Sequence, residues 1–218
     1  MDLEILPEQG KPEHLFFFFH GLGASANDLL PLAQFFRNAV PQGAYLLPEG
    51  VQPFEGGGPG RQWFSFAGIS NDNRLQRIQE VLPIMQGLIH RAQARFALTS
   101  SQTTLIGFSQ GAILALEYTA QIDGNIAQVL AFSGRYALLP SKPPTATCIH
   151  LLHGQQDLVI EVHYAKRAYE RLTQLGAPVS LDIDPVMGHG ISPSMLNQAI
   201  RHWTKEMSQP TTARIPSL

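Results

Sequence analysis

One serine in this chain has the neighbours of a nucleophile. Gly107-Phe108-Ser109-Gln110-Gly111 reads G-x-S-x-G. An apolar run over residues 103–106 precedes it, and a second over 112–118 follows. Strand, tight turn and helix are the context that a serine nucleophile elbow requires. Glycine lacks the Cβ that would clash in so sharp a turn. The serine is then forced outward at the start of a helix, where free N–H groups and a partial positive charge suit developing negative charge. A serine hydroxyl is still a poor nucleophile at neutral pH. It needs a base, usually histidine, and an acid that orients the base. On this kind of elbow the chain order is serine, acid, histidine, each on a loop after a strand. Asp157 follows the apolar run 148–152, and His189 lies in the turn after the run 179–183. Both fall where that order predicts. Glycines on either side of His189 are expected to leave it room to reach Ser109.

Rival residues exist for each role. Asp182 and Asp184 lie close to His189 in sequence and compete with Asp157 for the acid; the order-and-loop argument favours Asp157. Of eight histidines, His14 precedes a strand and His90, His163 and His202 lie on expected helices, where packing or solvent-facing roles suffice. His150 and His153 suggest a metal site with Asp157. An odd spacing on a strand points their rings to opposite faces, and no further ligands have suitable spacing. No metal is expected. His20 and His153 each precede a glycine at a strand end and are expected to hydrogen-bond loop backbone rather than move protons.

A tetrahedral intermediate needs two donors aimed at its oxyanion. The backbone N–H of Gln110, directly after the nucleophile, is one. The other is expected from the loop Gly21-Leu22-Gly23, with the N–H of Leu22 the choice.

The elements that must hold these residues follow from hydropathy. Residues 15–19, 128–132 and 148–152 are continuous apolar runs, as in strands buried on both faces of a parallel sheet. Residues 44–47 form a further strand closed by Pro48. Residues 179–183 alternate, which predicts a half-exposed strand near a sheet edge. Between them lie amphipathic helices: one with Leu29, Leu32, Ala33 and Phe36, capped by Ser25 or Asn27; one running from Leu75 to Ala92, capped by Asn71 or Asp72 and kinked or divided at Pro83. Two more follow, one stopping at Gly176 and one carrying Met195, Ala199 and Trp203. Alternating strands and helices predict an α/β fold with a mostly parallel sheet covered on both faces. Residues 49–62 are irregular and rich in glycine. Trp63-Phe64 follows at once, so this loop is expected to form an anchored wall beside the site rather than a free linker.

Composition narrows the rest. With 218 residues, 44% hydrophobic and 15% charged, the chain is globular and sized for one large domain, expected over 1–207, with a loose tail over 208–218. A net charge of −2 and the lack of a basic run give nucleic-acid binding no electrostatic support. A lone cysteine, Cys148, excludes an internal disulfide framework and is expected to be a buried thiol. The start has no signal-like apolar segment, and the run 15–19 is far too short to span a bilayer. The cytoplasm is the expected location.

Taken together, these residues resemble the phospholipase/carboxylesterase family of α/β-hydrolases, which includes bacterial carboxylesterases and acyl-protein thioesterases. The resemblance runs from about Leu15 to Trp203. It rests on His20-Gly21-Leu22-Gly23 as the oxyanion loop, Trp63-Phe64, the Ser109 elbow, Ser133-Gly134, His153-Gly154 with Asp157, and Gly188-His189. It implies an α/β-hydrolase fold without a large cap domain, and hydrolysis of short- to medium-chain esters or thioesters by a Ser109–His189–Asp157 triad, with no cofactor. It also implies substrate contacts near His20, Gly23, Trp63 and Phe64. A homodimer stays open. Ala24 and Ser65 stand where the family often has acidic residues, which bears on substrate choice rather than on the triad. A catalytically inactive scaffold that binds a ligand or partner is the alternative, and a peptidase or lactone hydrolase is a third. Against the scaffold, binding alone has no need of triad and oxyanion loop together.

Overall fold

The computed structural model describes residues 2–144 and 146–207; the tail expected over 208–218 lies outside them. Strands run β1 Leu3–Ile5, β2 His14–Phe19, β3 Gly43–Leu47, β4 Gln52–Pro53, β5 Arg61–Gln62, β6 Thr103–Phe108, β7 Gln128–Phe132, β8 Cys148–Gly154 and β9 Val179–Asp184. Seven form one sheet in the order β1-β3-β2-β6-β7-β8-β9, while β4 and β5 pair as a separate antiparallel ribbon. Every pairing in the large sheet is parallel except β1 with β3. The helices are α1 Leu30–Ala39, α2 Asn71–Gln79, α3 Leu82–Phe96, α4 Gln110–Gln121, α5 His163–Gln174 and α6 Pro193–Met207.

Side chains alternate across a strand, and β2 shows what that does here. Phe16 and Phe18 pack with Phe36 of α1 and Met195, Ala199 and Trp203 of α6. Leu15, Phe17 and Phe19 face the other layer, with Ile78 of α2, Met85 and Ile89 of α3, α4, and Leu172 of α5. The four phenylalanines are at most 1% exposed, and burying each stabilises the fold by roughly 1.5–3 kcal/mol. A strand covered on both sides has no reason to alternate in hydropathy, hence its unbroken apolar sequence. At the far edge, β9 is mostly half-buried, as its alternation implies.

Two local features differ from expectation, and a third decides between two outcomes that were both expected. The antiparallel edge strand β1, only three residues long, carries no periodic signal. The cap of α2 is Ser70, one residue before the expected Asn71 or Asp72. Its Oγ accepts from Asp72 N–H, and the Asn73 side chain accepts from Ser70 N–H, a reciprocal capping box. The long helix divides rather than kinks. α2 ends at Gln79 and α3 starts at Leu82, with Pro83 in its first turn, where a missing N–H breaks no helical bond.

α4 is buried on nearly all sides and carries one acid, Glu117, with 0% exposure. Its Oε1 accepts from the N–H groups of Ala137 and Leu138, tying down the segment after β7. Burial pushes its carboxyl up to about 7, against the opposing pull of those two hydrogen bonds. A carboxylate raised in the folded state stabilises it fully below its unfolded value and loses that contribution as pH rises through the folded one. Glu117→Gln keeps an oxygen for the two N–H groups and removes the charge. It should match wild type near pH 4.5 and exceed it at pH 9 by about 3 kcal/mol. Urea unfolding at the two pH values measures this; parallel stabilities at both would contradict it.

Candidate active site

Ser109 sits between β6 and α4 with φ 53° and ψ −115°, a left-handed conformation that non-glycine residues avoid at a cost of about 1–3 kcal/mol. The turn is held by Ser109 N–H donating to Phe132 O at 3.0 Å and by Ile113 N–H closing onto Ser109 O at 3.0 Å. The elbow glycines are demanded by contact. A Cβ on Gly107 would lie 2.5 Å from the Gly111 carbonyl, and one on Gly111 would lie 2.0 Å from Phe19 O. The helix thus starts directly against the end of β2, next to the loop Gly21-Leu22-Gly23.

Asp157, His189 and Ser109 meet although they are far apart in the chain. His189 Nδ1 lies 2.8 Å from Asp157 Oδ2, and His189 Nε2 lies 2.9 Å from Ser109 Oγ. With its Nδ1–H donated to the carboxylate, the neutral ring presents Nε2 as acceptor for the serine proton. Asp157 Oδ1 accepts from the N–H groups of Val159 and Ile160, both at 2.9 Å. Burial opposes the charge on Asp157, but the bonds from His189, Ile160 and Val159 outweigh it and hold the carboxyl below its usual range. The rivals are occupied elsewhere: Asp182 with His202 at 2.6 Å, Asp184 with Ser192 and the N–H groups of Val186 and Met187.

The room expected from the glycines beside His189 comes from a different glycine. A Cβ on Gly188 would approach nothing closer than 3.7 Å, and one on Gly190 only the movable Cε of Met187. A Cβ on Gly154, at the end of β8, would lie 2.3 Å from the carbonyls of Met187 and Gly188. The acid and base loops are in close contact there, joined by Gln156 N–H donating to Met187 O at 2.9 Å. Phe108 packs against the His189 ring, 5.0 Å between centroids.

His153 and His20 support backbone. His153 Nε2 donates to Ile160 O at 2.7 Å, and burial lowers its pKa, keeping it neutral beside Asp157. His20 is fully buried. It donates Nδ1–H to Gly21 O at 2.8 Å and accepts Gly50 N–H at Nε2 at 2.9 Å. Burial depresses its pKa too. His150 faces the other layer, stacked on His202 and bonded to Ser180, as the strand alternation requires.

The loop over 49–62 is fastened to the loop that follows β2. Gly23 N–H donates to Arg61 O and Arg61 N–H to Ala24 O, both at 2.8 Å. A Cβ on Gly60 would lie 2.0 Å from Gly23 O. Phe54 packs on Gly23 and stacks with Phe66, and Glu55 accepts from the N–H groups of Phe66 and Ala67. The Gln110 side chain adds a tie that sequence reasoning missed, because only its backbone was considered. Its Oε1 accepts Trp63 N–H and its Nε2 donates to Phe64 O, each at 2.8 Å. Trp63, 1% exposed, donates Nε1–H to His20 O.

Of the four residues expected to contact substrate, only Phe64 lines the cleft beside Ser109; His20, Gly23 and Trp63 stand behind it and hold its wall. That cleft is about 340 Å³ and is also lined by Leu22, Gln110, Phe66, Ile69, Ile113, Ile160 and Tyr164. Sequence inspection does not find most of these residues, since they come from separate segments and each reads as ordinary core or loop.

Against known proteins, the Phospholipase/Carboxylesterase family profile matches residues 1–207. Esterase YpfH of Escherichia coli (strain K12) is 37% identical over 91% of this chain and 85% of its own. Acyl-protein thioesterase 1 of Eremothecium gossypii is 26% identical over 94% and 93%. Among solved structures, esterase PE8 superposes with a TM-score of 0.84 at 26% identity, covering 93% of this chain and 97% of that one. The Bacillus cereus carboxylesterase, at 16% identity and covering 94% and 93%, shares the fold with a TM-score of 0.79. This chain therefore belongs to the phospholipase/carboxylesterase family of α/β-hydrolases and is a serine hydrolase of the esterase and thioesterase type.

Proposed function

We propose that the chain cleaves short- to medium-chain carboxylic esters, and thioesters of similar size, with Ser109 as nucleophile, His189 as base and then acid, and Asp157 as the group that orients His189. The observation that carries this is the unbroken line from Asp157 Oδ2 through both ring nitrogens of His189 to Ser109 Oγ. As Oγ attacks the acyl carbon, its proton passes to Nε2 and the carbonyl electrons move onto oxygen. The N–H groups of Leu22 and Gln110 receive that oxyanion, at the loop after β2 and at the start of α4. Collapse expels the alcohol or thiol, which takes the proton from Nε2. Water, deprotonated by the same nitrogen, then frees the acid and restores Ser109.

The size of the cleft, about 340 Å³, and the absence of a covering domain favour small esters over long acyl chains. No helix among the described residues is long and apolar enough to cross a membrane, and we keep the cytoplasm as the proposed location. The test is turnover of a p-nitrophenyl ester series of rising acyl length by wild type and Ser109→Ala. Wild type should show an optimum at short to medium length, and the alanine variant should lose at least about a thousandfold in kcat. No turnover of any ester or matching thioester by folded wild type would favour a binding scaffold instead.

A further inference from the structure

Two arginines share the cleft with Ser109, and neither has an acidic partner. Arg74 comes from α2 and Arg135 from the segment after β7; both line the cavity that also holds Ser109 and Gln110. Arg37 pairs with Glu8 and Arg95 with Glu4, while Arg61, Arg77 and Arg171 donate to backbone carbonyls. Among the described residues, Arg74 and Arg135 form no ion pair. The Arg74 Nε is buried and has no hydrogen-bond acceptor among them. A buried donor without an acceptor is costly, more so on a charged group.

Arg135 is held in place without being neutralised. Its guanidinium lies 3.7 Å from the Tyr164 ring centroid. Its Nε donates to Tyr136 O and its Nη2 to Asn71 Oδ1, each at 3.2 Å. Those acceptors and the ring are uncharged; the buried Glu117 carboxyl feels the Arg135 charge, which lowers its pKa, but the two form no ion pair. Burial, and then the charge of Arg135, lower the pKa of Arg74; arginine nevertheless remains protonated in proteins. Among the described residues, the one carboxylate lining the cleft is Glu161. Its Oε2 lies 3.3 Å from His163 Nδ1, and its side chain is 68% exposed.

We infer that the ester turned over here carries an anionic group, a carboxylate or a phosphate, on the portion that fills this cleft, and that Arg74 and Arg135 bind it. The inference rests on Ser109 being the nucleophile at the same cleft. Phe64, Phe66, Ile69 and Ile113 line the same cleft and suit the apolar chain that joins the reacting carbonyl to the charged end. A guanidinium fork pairs two oxygens of one anion at once, and a single anion bound by the two arginines relieves their repulsion. A neutral chain of the same length does none of this. Arg74 and Arg135 are thus specificity-determining residues, remote from bond breaking.

Binding to Ser109→Ala, which cannot consume its ligand, provides the test. Calorimetry compares monomethyl adipate, methyl 6-phosphooxyhexanoate and the neutral dimethyl adipate. The better-bound of the two anions should bind about tenfold or more tighter than the diester, and its identity tells carboxylate from phosphate. The preference should shrink with added salt. It should fall below about threefold in Arg74→Gln/Arg135→Gln, and Arg135→Lys should retain part of it. Should the double variant fail to fold, the ligand comparison and the lysine variant decide. Equal binding of anions and diester, or a preference that survives loss of both charges, overturns the inference. Wild-type turnover of monomethyl adipate and of 4-acetoxybutanoate then places the anion on the acyl or the alcohol side. Because binding is read without turnover, failure of the nucleophile assignment shows separately, in p-nitrophenyl ester hydrolysis that persists in Ser109→Ala.

Discussion

Asp157→Asn should lower kcat by about ten-thousandfold, the size of effect seen for the same change in other serine triads, while the fold survives. The reason lies in which oxygen does what. Oδ1 accepts two backbone N–H groups, from Val159 and Ile160. An asparagine must therefore put its own oxygen there, since a donor facing two donors would leave all three unpaired. Its NH2 then faces His189 Nδ1, where Asp157 Oδ2 stood at 2.8 Å. Two donors cannot share that line, so the ring moves its proton to Nε2 and leaves Nδ1 as acceptor. Nε2 now holds a proton where it must receive one, and Ser109 loses its base. KM should change little, because the acid touches no substrate. Steady-state kinetics with a circular-dichroism melt checks both halves. Near-normal turnover would point to Asp182 or Asp184, which the observed bonds assign to other partners.

Gly111→Ala should be among the most disruptive single-methyl changes in the chain. Its Cβ would lie 2.0 Å from Phe19 O, 2.4 Å from Phe19 C and 2.8 Å from His20 O. These are backbone atoms of β2 and its exit loop and cannot rotate aside. α4 must back away from the sheet, opening a core in which it is buried nearly all round. Overpacking of this kind costs typically 1–3 kcal/mol and sometimes more; a rigid backbone on both sides places this variant at about 3 kcal/mol or above. The same displacement moves Ser109 relative to the Leu22 N–H, and a misplacement of about 1 Å is worth roughly a hundredfold in rate. Gly188→Ala is the control, since its Cβ meets nothing closer than 3.7 Å. Equal stability and turnover for Gly111→Ala and Gly188→Ala would contradict the account of the elbow.

What could be read from the chain divides along a physical line. The parallel sheet was legible because Phe16 to Phe19 must be covered on both faces, and several such runs alternate with amphipathic helical patterns along the chain. Asp157 and His189 could be placed because strand ends announce themselves by loss of apolar residues, and the catalytic loops of this fold follow strand ends. The direction of His150 away from Asp157 followed from strand alternation alone. Other features depend on contacts between distant segments. Gly154 is a required glycine only because another loop passes 2.3 Å from its missing Cβ, and nothing near residue 154 says so. Trp63 looks like a substrate contact in sequence, yet it is buried and bonded to the oxyanion loop, because the Gln110 side chain reaches across to its backbone. Phe66, Ile69, Arg74, Arg135 and Tyr164 become a cleft wall only when four segments converge. The Ser70 cap is a smaller case: three capping residue types stand in a row, and only the reciprocal bonds with Asp72 and Asn73 distinguish them.

The central claim is that Ser109, activated by His189, forms a covalent acyl-enzyme. A fluorophosphonate reacts with such a serine to leave a stable adduct on Oγ, releasing fluoride as the serine proton passes to the base. Intact-mass measurement followed by peptide mapping should find one adduct per chain, on Ser109. The adduct should be absent in Ser109→Ala and formed at least about a thousandfold more slowly in His189→Ala. An adduct on any other residue, or undiminished labelling and ester turnover in Ser109→Ala, would contradict the account.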